Sequence, residues 1–231
     1  MISELENALV KNAAAFHPVV KFDAARERLL RFNFTETNRD LNKTVVSDTR
    51  LLSDHINMQL RNAQASFGIG GYAENRTLYR RSALFSGEEE RTLHLGIDIW
   101  GPAGTPVYAP LGGMVHSFAF NNNFGDYGAT IILLHQLETI PFYTLYGHLS
   151  LKDISVLKQG AYITRGEVIG HFGEPTENGD WPPHLHFQVI HDIELKEGDY
   201  PGVCRLSEKE WYLKNCPDPD LILNMMQYSH T

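Results

Sequence analysis

A chain of 231 residues, 42% hydrophobic and 21% charged, has enough apolar material to bury one sizeable core or two small ones without covalent staples. Its formal net charge of -8 excludes the basic face that nucleic acid or an anionic membrane surface would require. No uninterrupted apolar run is long enough to span a bilayer, so no membrane span is expected.

The opening stretch, MISELENALVKNAAAF, lacks a basic start followed by a long apolar run and does not read as a secretory signal. As written, the chain is expected in the cytoplasm, and in the cell envelope only if another route exports it. Leu5, Leu9 and Ala13 recur at spacing four, as do Leu52, Ile56 and Leu60, which is the helical period. Asp23 before AARERLL and Asp48 before TRLLSDHINMQL read as N-caps. Residues 1–66 are therefore expected to form a helical segment, ended by FGIGG at 67–71.

From residue 67 to 231 the pattern becomes that of a β domain with a C-terminal tail. TPVYA, GMVHSFA, ATIILLH, PFYTLYGH and HLHFQVI are short runs rich in β-branched and aromatic residues. GPAG, NNNFGDYG and EPTENGDWPP supply turn chemistry between them. Without a helical pattern of crossover length, these runs predict a mainly β fold, an antiparallel sheet or sandwich. The tail from residue 191 is expected to pack back onto it. Cys204 and Cys216, without CxxC spacing, read as buried free thiols.

Eleven histidines are present, and most are expected to be structural. His17, His55 and His230 lie outside the β region. His116, His135, His171 and His191 stand singly on strands or at their ends. The other four have company. In HLHFQVI, alternation puts His184 and His186 on one face, roughly 6.6 Å apart, with Leu185, Phe187 and Val189 toward the core. Both can converge on one ion, or one can bind while the other faces the bound water. In HLGID, Gly96 and the β-branched Ile97 and Ile99 argue against a helix. On a straight strand His94 and Asp98 would be roughly 13 Å apart, so sharing an ion requires a bend, which Gly96 permits. His148 ends the aromatic strand in YGHLS. Together these segments offer His, Asp and His as three ligands with an open fourth position, the make-up of a catalytic zinc site. His148 and the other histidine of HxH then remain for proton transfer.

HLGIDIWGPAGTPVYAPLGGMV, YGHLS, QGAYITRGEVIGHFG and PPHLHFQVI, spanning roughly residues 94–190, resemble the successive motifs of the lysostaphin/LytM-type zinc metallopeptidases. GGYAENR upstream resembles that family's glycine–aromatic–Arg segment. The resemblance implies an antiparallel β fold of the duplicated-hybrid-motif kind and one zinc ion per chain, held by His94, Asp98 and His186. It implies His148 and His184 as the catalytic pair, and peptidoglycan or a muropeptide as substrate, cut at cross-bridges or stem peptides. Several members carry a tyrosine just before the first ligand. Here that stretch reads GEEERTL, and the nearest upstream tyrosine is Tyr79.

The N-terminal helices are expected to pack against the sheet; the alternative is a latency segment that places Asn75 in the open ligand position. A zinc-retaining but non-catalytic binding or regulatory domain is the competing reading of the whole. A lipoyl-type carrier would need a lysine at a hairpin tip, and a phosphotransfer domain would not need Asp98.

Overall fold

A computed structural model describes residues 3–230, so the outermost residues of the two expected segments, 1, 2 and 231, lie outside the described residues. Helix α1 (Glu4–Lys11) starts at Ser3, whose hydroxyl accepts from the Glu6 N–H while the Glu6 carboxylate accepts from the Ser3 N–H. It buries Leu5 and Leu9 as their spacing predicts, whereas Ala13 falls beyond it in an exposed turn. The short α2 (Lys43–Ser47) leads into α3 (Thr49–Ala63). Asp48 caps α3 by accepting from the Arg50 and Leu51 N–H groups, and Leu52, Ile56 and Leu60 form its buried stripe.

Asp23 does something else. Its carboxylate accepts from the Ala25 N–H at 3.0 Å in a tight turn, and the chain then extends as β1 (Leu29–Phe32). The N-terminal region, expected to be helical, thus contributes a strand as well. A cap residue satisfies a turn as readily as a helix, and here pairing with distant strands decides the outcome.

Twelve further strands follow among the described residues. They are β2 (Phe67–Gly70), β3 (Arg91–His94), β4 (Ile97–Trp100), β5 (Pro106–Tyr108), β6 (Gly113–Asn121), β7 (Gly128–Leu137) and β8 (Ile140–Leu149). After α4 (Leu151–Ser155) come β9 (Tyr162–Ile163), β10 (Val168–His171), β11 (His184–Ile190) and β12 (Val203–Arg205). Helices α5 (Lys209–Asn215) and α6 (Asp220–Leu223) precede β13 (Ser229–His230).

The fold is mainly β. Nine described strands form one sheet in the order β13-β1-β2-β4-β11-β8-β7-β6-β9. From β2 to β9 every pairing is antiparallel, as the turn-rich sequence predicts; β1 runs parallel to both β2 and β13, so the sheet as a whole is mixed. Two small antiparallel pairs, β5 with β10 and β3 with β12, complete the strands. The second pair brings the tail back onto the domain through Cys204 opposite Leu93. Both cysteines are free and buried.

Both faces of the large sheet are covered. On one, Ile97, Ile99, Leu185, Phe187 and Val189 join the main core, which α1 caps with Leu5 and Leu9. On the other, Phe34, Leu52, Ile56, Trp100 and Trp181 form one apolar cluster, and Leu93, Ile132, Leu145, Ile190 and Tyr200 form another. Asp98, His184 and His186 alternate onto this second face.

Candidate metal centre and active site

Strand register makes the first contacts. β11 lies antiparallel to β4 with His186 opposite Asp98 and His184 opposite Trp100. His94 arrives differently, because β3 pairs with β12 and β4 with the large sheet. The chain changes sheets between His94 and Asp98, which removes the separation a straight strand would impose. His94 Nε2 lies 3.2 Å and His186 Nδ1 3.1 Å from Asp98 Oδ1, and the two ring nitrogens are 3.0 Å apart.

Gly96 has a further role beyond permitting the bend. A Cβ there would stand 2.5 Å from His186 Cε1 and 2.8 Å from the Phe187 carbonyl oxygen. Gly96→Ala is therefore expected to displace the His186 ring and to weaken zinc binding at the candidate site by roughly 10-fold or more, the effect of losing a supporting contact. Metal analysis of the purified variant after dialysis against limiting zinc checks this.

The hydrogen-bond network assigns the tautomers. His94 Nδ1–H donates to the Gly71 carbonyl at 3.0 Å, leaving Nε2 as the lone-pair nitrogen. Gln188 donates its amide N–H groups to the Pro201 carbonyl and Cys216 Sγ, so its Oε1 accepts from His186 Nε2–H at 2.9 Å. His186 Nδ1 is then a lone-pair nitrogen too. Two imidazole lone pairs and a carboxylate oxygen thus converge, with their donor atoms within 4.8 Å of one another and all three residues buried. Tetrahedral zinc with bonds of about 2.0–2.2 Å would set its ligand atoms roughly 3.3 Å apart, so this donor set fits that ion. Burial holds the His94 pKa down to about 4, with the Arg76 charge adding to the effect. Burial works to raise the Asp98 pKa, but His94, Arg76 and the histidine hydrogen bonds outweigh it and hold the group well below the usual carboxylate range.

His148 and His184 stand beside these three. A bulge near the end of β8 carries His148 at a left-handed φ of 62°, conformational strain of a kind that concentrates at functional sites. Its Nδ1–H donates to the Asn178 carbonyl at 2.8 Å. His184 Nδ1–H donates to the Pro182 carbonyl at 2.8 Å, and its ring stacks on Trp100 at 3.8 Å. In both residues Nε2 is left as the lone-pair nitrogen, and the two rings lie 4.1 Å apart. Burial lowers both pKa values, that of His184 to about 4, so both rings are neutral near pH 7.

A cavity of about 120 Å³ opens over Asp98, His148, His184 and His186, walled by Tyr79, Phe85 and Trp181. Tyr79 is distant in sequence from the first ligand yet lines this cavity. Its hydroxyl oxygen accepts from Arg76 Nη1 at 3.2 Å, and burial pushes its pKa up, so the O–H proton is kept. Asn75 is not at the centre; it bridges to Leu93 and borders a separate cavity with Glu36 and Thr92. The GGYAENR residue that reaches the site is Arg76, which donates to Asp98 Oδ2. The remaining histidines stay apart: His135 Nδ1 is bonded to the Gly112 carbonyl and Nε2 to the Thr144 hydroxyl in the core, and His171 pairs with Asp153.

Sequence reasoning noted Arg76 within GGYAENR without giving it a role, and missed Gln188 and Asn178. Gln188 was accessible in principle, since it follows His186 by two on the same strand face. No local pattern marks Asn178 as the acceptor for His148.

Residues 92–197 match the sequence profile of peptidase family M23. The DD-carboxypeptidase/endopeptidase Mpg of Neisseria meningitidis is 34% identical over 97 residues, which are 42% of this chain and 20% of that protein. The L-Ala--D-Glu endopeptidase of Bacillus subtilis is 28% identical over 127 residues, 53% of this chain and 37% of that protein. The chain therefore spans well under half the length of these curated relatives. Among solved structures, a zinc containing peptidase from Vibrio cholerae matches at 28% identity and a TM-score of 0.34, over 42% of this chain and 27% of that one. The catalytic domain of lysostaphin from Staphylococcus simulans matches at 22% identity and a TM-score of 0.36, over 55% of this chain and 85% of that one. Residues 92–197, within which His94, Asp98, His148, His184 and His186 all fall, are thus the part of the chain that is similar to peptidase family M23.

Proposed function

We propose that this protein is a zinc-dependent endopeptidase that hydrolyses peptide bonds in peptidoglycan cross-bridges or stem peptides. The observation that carries the reading is the convergence of His94 Nε2, Asp98 Oδ1 and His186 Nδ1 beside a cavity that also holds His148 and His184. Relatives named as a DD-carboxypeptidase/endopeptidase and an L-Ala--D-Glu endopeptidase support the substrate class. His94, Asp98 and His186 would hold the ion, which supplies Lewis acidity toward a substrate carbonyl and a water molecule.

The protein's own groups do the rest. His148 and His184 line the cavity with Nε2 left as the lone-pair nitrogen, so one of these accepts the proton of the attacking water. The protonated imidazole then returns it to the leaving amine. Tyr79, its oxygen already accepting from Arg76, keeps its hydroxyl proton for the oxyanion that develops on the carbonyl. The missing tyrosine near His94 is thereby replaced by one from further upstream.

Metal analysis combined with digestion of purified peptidoglycan, and of soluble glycyl and D-alanyl peptides, tests this reading. One zinc per chain with new amino termini released is expected. Stoichiometric zinc without cleavage of any of these substrates would replace the hydrolase with a zinc-retaining binding domain.

A further inference from the structure

We propose that Arg76 is a positioning residue for the metal centre: it holds one oxygen of Asp98 so that the other is presented to the ion as a single-oxygen ligand. The inference rests on the metal reading above. Asp98 divides its carboxylate, with Oδ2 accepting from Arg76 Nη1 and Oδ1 facing His94 and His186.

Arg76 is itself held on several sides. Its side chain has no exposed surface. Nε donates to Glu74 Oε2 at 2.7 Å, Nη1 also to the Tyr79 hydroxyl at 3.2 Å, and Nη2 to the Gly71 carbonyl at 3.4 Å. The Phe34 ring lies 5.1 Å from the guanidinium carbon. At Gly70 a Cβ would stand 2.6 Å from Nη2, so the loop leaves room for this side chain by omitting its own. The Gly71 carbonyl that accepts from Arg76 also accepts from His94 Nδ1–H. One loop, residues 70–76, thus orients two of the three candidate ligands.

Charge considerations point the same way. A buried guanidinium beside a site for a dication is adverse unless its charge is balanced. Glu74 supplies that balance, so the Arg76–Glu74 pair adds little net field, and Asp98 keeps its own charge for the ion. What remains is geometry. The planar fork of arginine fixes the carboxylate plane, which a flexible ammonium does not.

Arg76→Met and Arg76→Lys, each tested with the full chain, separate positioning from simple packing. Zinc affinity is read by competition with a chromogenic chelator, and ligand geometry by the visible spectrum of the cobalt(II)-substituted protein. Arg76→Met is expected to bind zinc about 10- to 100-fold more weakly. Its cobalt bands should lose intensity as the freed carboxylate engages the ion through both oxygens. Arg76→Lys retains the charge and should show a smaller loss with the same spectral change; if Arg76→Met does not fold, this variant carries the test. Wild-type affinity and spectrum in the folded variants, accompanied only by a lower melting temperature, would overturn the inference. Failure of the wild-type protein itself to bind zinc or cobalt would overturn the metal reading on which it stands.

Discussion

Replacing His148 by alanine is expected to lower peptide-bond cleavage by roughly 100- to 10,000-fold while leaving zinc bound, the range over which a positioned general acid or base contributes. The split follows from its place. His148 is outside the group of converging donor atoms formed by His94, Asp98 and His186, so its loss removes no ligand. Its ring is nevertheless 4.1 Å from His184 and 6.3 Å from His186. Alanine adds no new backbone strain of consequence, because the left-handed φ of 62° is already occupied by a residue with a Cβ. The Asn178 carbonyl loses a donor, which makes a modest drop in stability part of the expectation. Turnover on a soluble peptide, zinc per chain and melting temperature, measured on the same preparation, test the assignment. Turnover close to wild type would remove His148 from the chemistry, and loss of zinc would make it a ligand.

How far the site is legible in the sequence depends on the range of the interaction that builds each part. HLHFQVI is legible because alternation is local: a strand there puts His184, His186 and Gln188 on one face and Leu185, Phe187 and Val189 on the other, and the structure does so. HLGID is only half legible. The need for a bend at Gly96 follows from the strand rise, but the change of sheet depends on β12, more than a hundred residues further on, which pairs with β3. The clearance for the His186 ring likewise requires knowing that β11 lies against β4. Arg76 is the least legible. Within GGYAENR both Asn75 and Arg76 are polar, and nothing local tells which side chain turns toward Asp98. The loop's attachment to Leu93 through Asn75 turns that residue away. The same contrast holds for the fold. Long strands such as β6, β7 and β8 announce themselves by alternation, whereas β1, β9 and β13, two to four residues each, exist only through their partners.

The second large effect is expected at Asp98, where metal binding and fold stability share one carboxylate. Asp98→Ala removes a proposed ligand and leaves the fully buried Arg76 with Glu74 as its one remaining charged partner among the described residues. Breaking a buried pair from one side typically costs about 3–5 kcal/mol. For a chain of this size that corresponds to a fall in melting temperature of about 10 °C. Asp98→Asn is different, because an amide of the same shape can still accept from Arg76 through its oxygen. Its nitrogen can donate to the lone pair on His94 Nε2 or His186 Nδ1, the positions that Oδ1 now approaches at 3.2 and 3.1 Å. The asparagine variant is therefore expected to lose zinc while keeping most of its stability. Melting both variants and the wild-type protein in excess chelator isolates the fold contribution, since a bound ion adds stability of its own. Repeating the melts in excess zinc isolates the metal, and only the wild-type transition should rise. Equal melting of Asp98→Ala and wild type in chelator would show that the Arg76–Asp98 pair does not support the fold. A zinc-induced rise in Asp98→Asn would mean that the two histidines suffice to hold the ion.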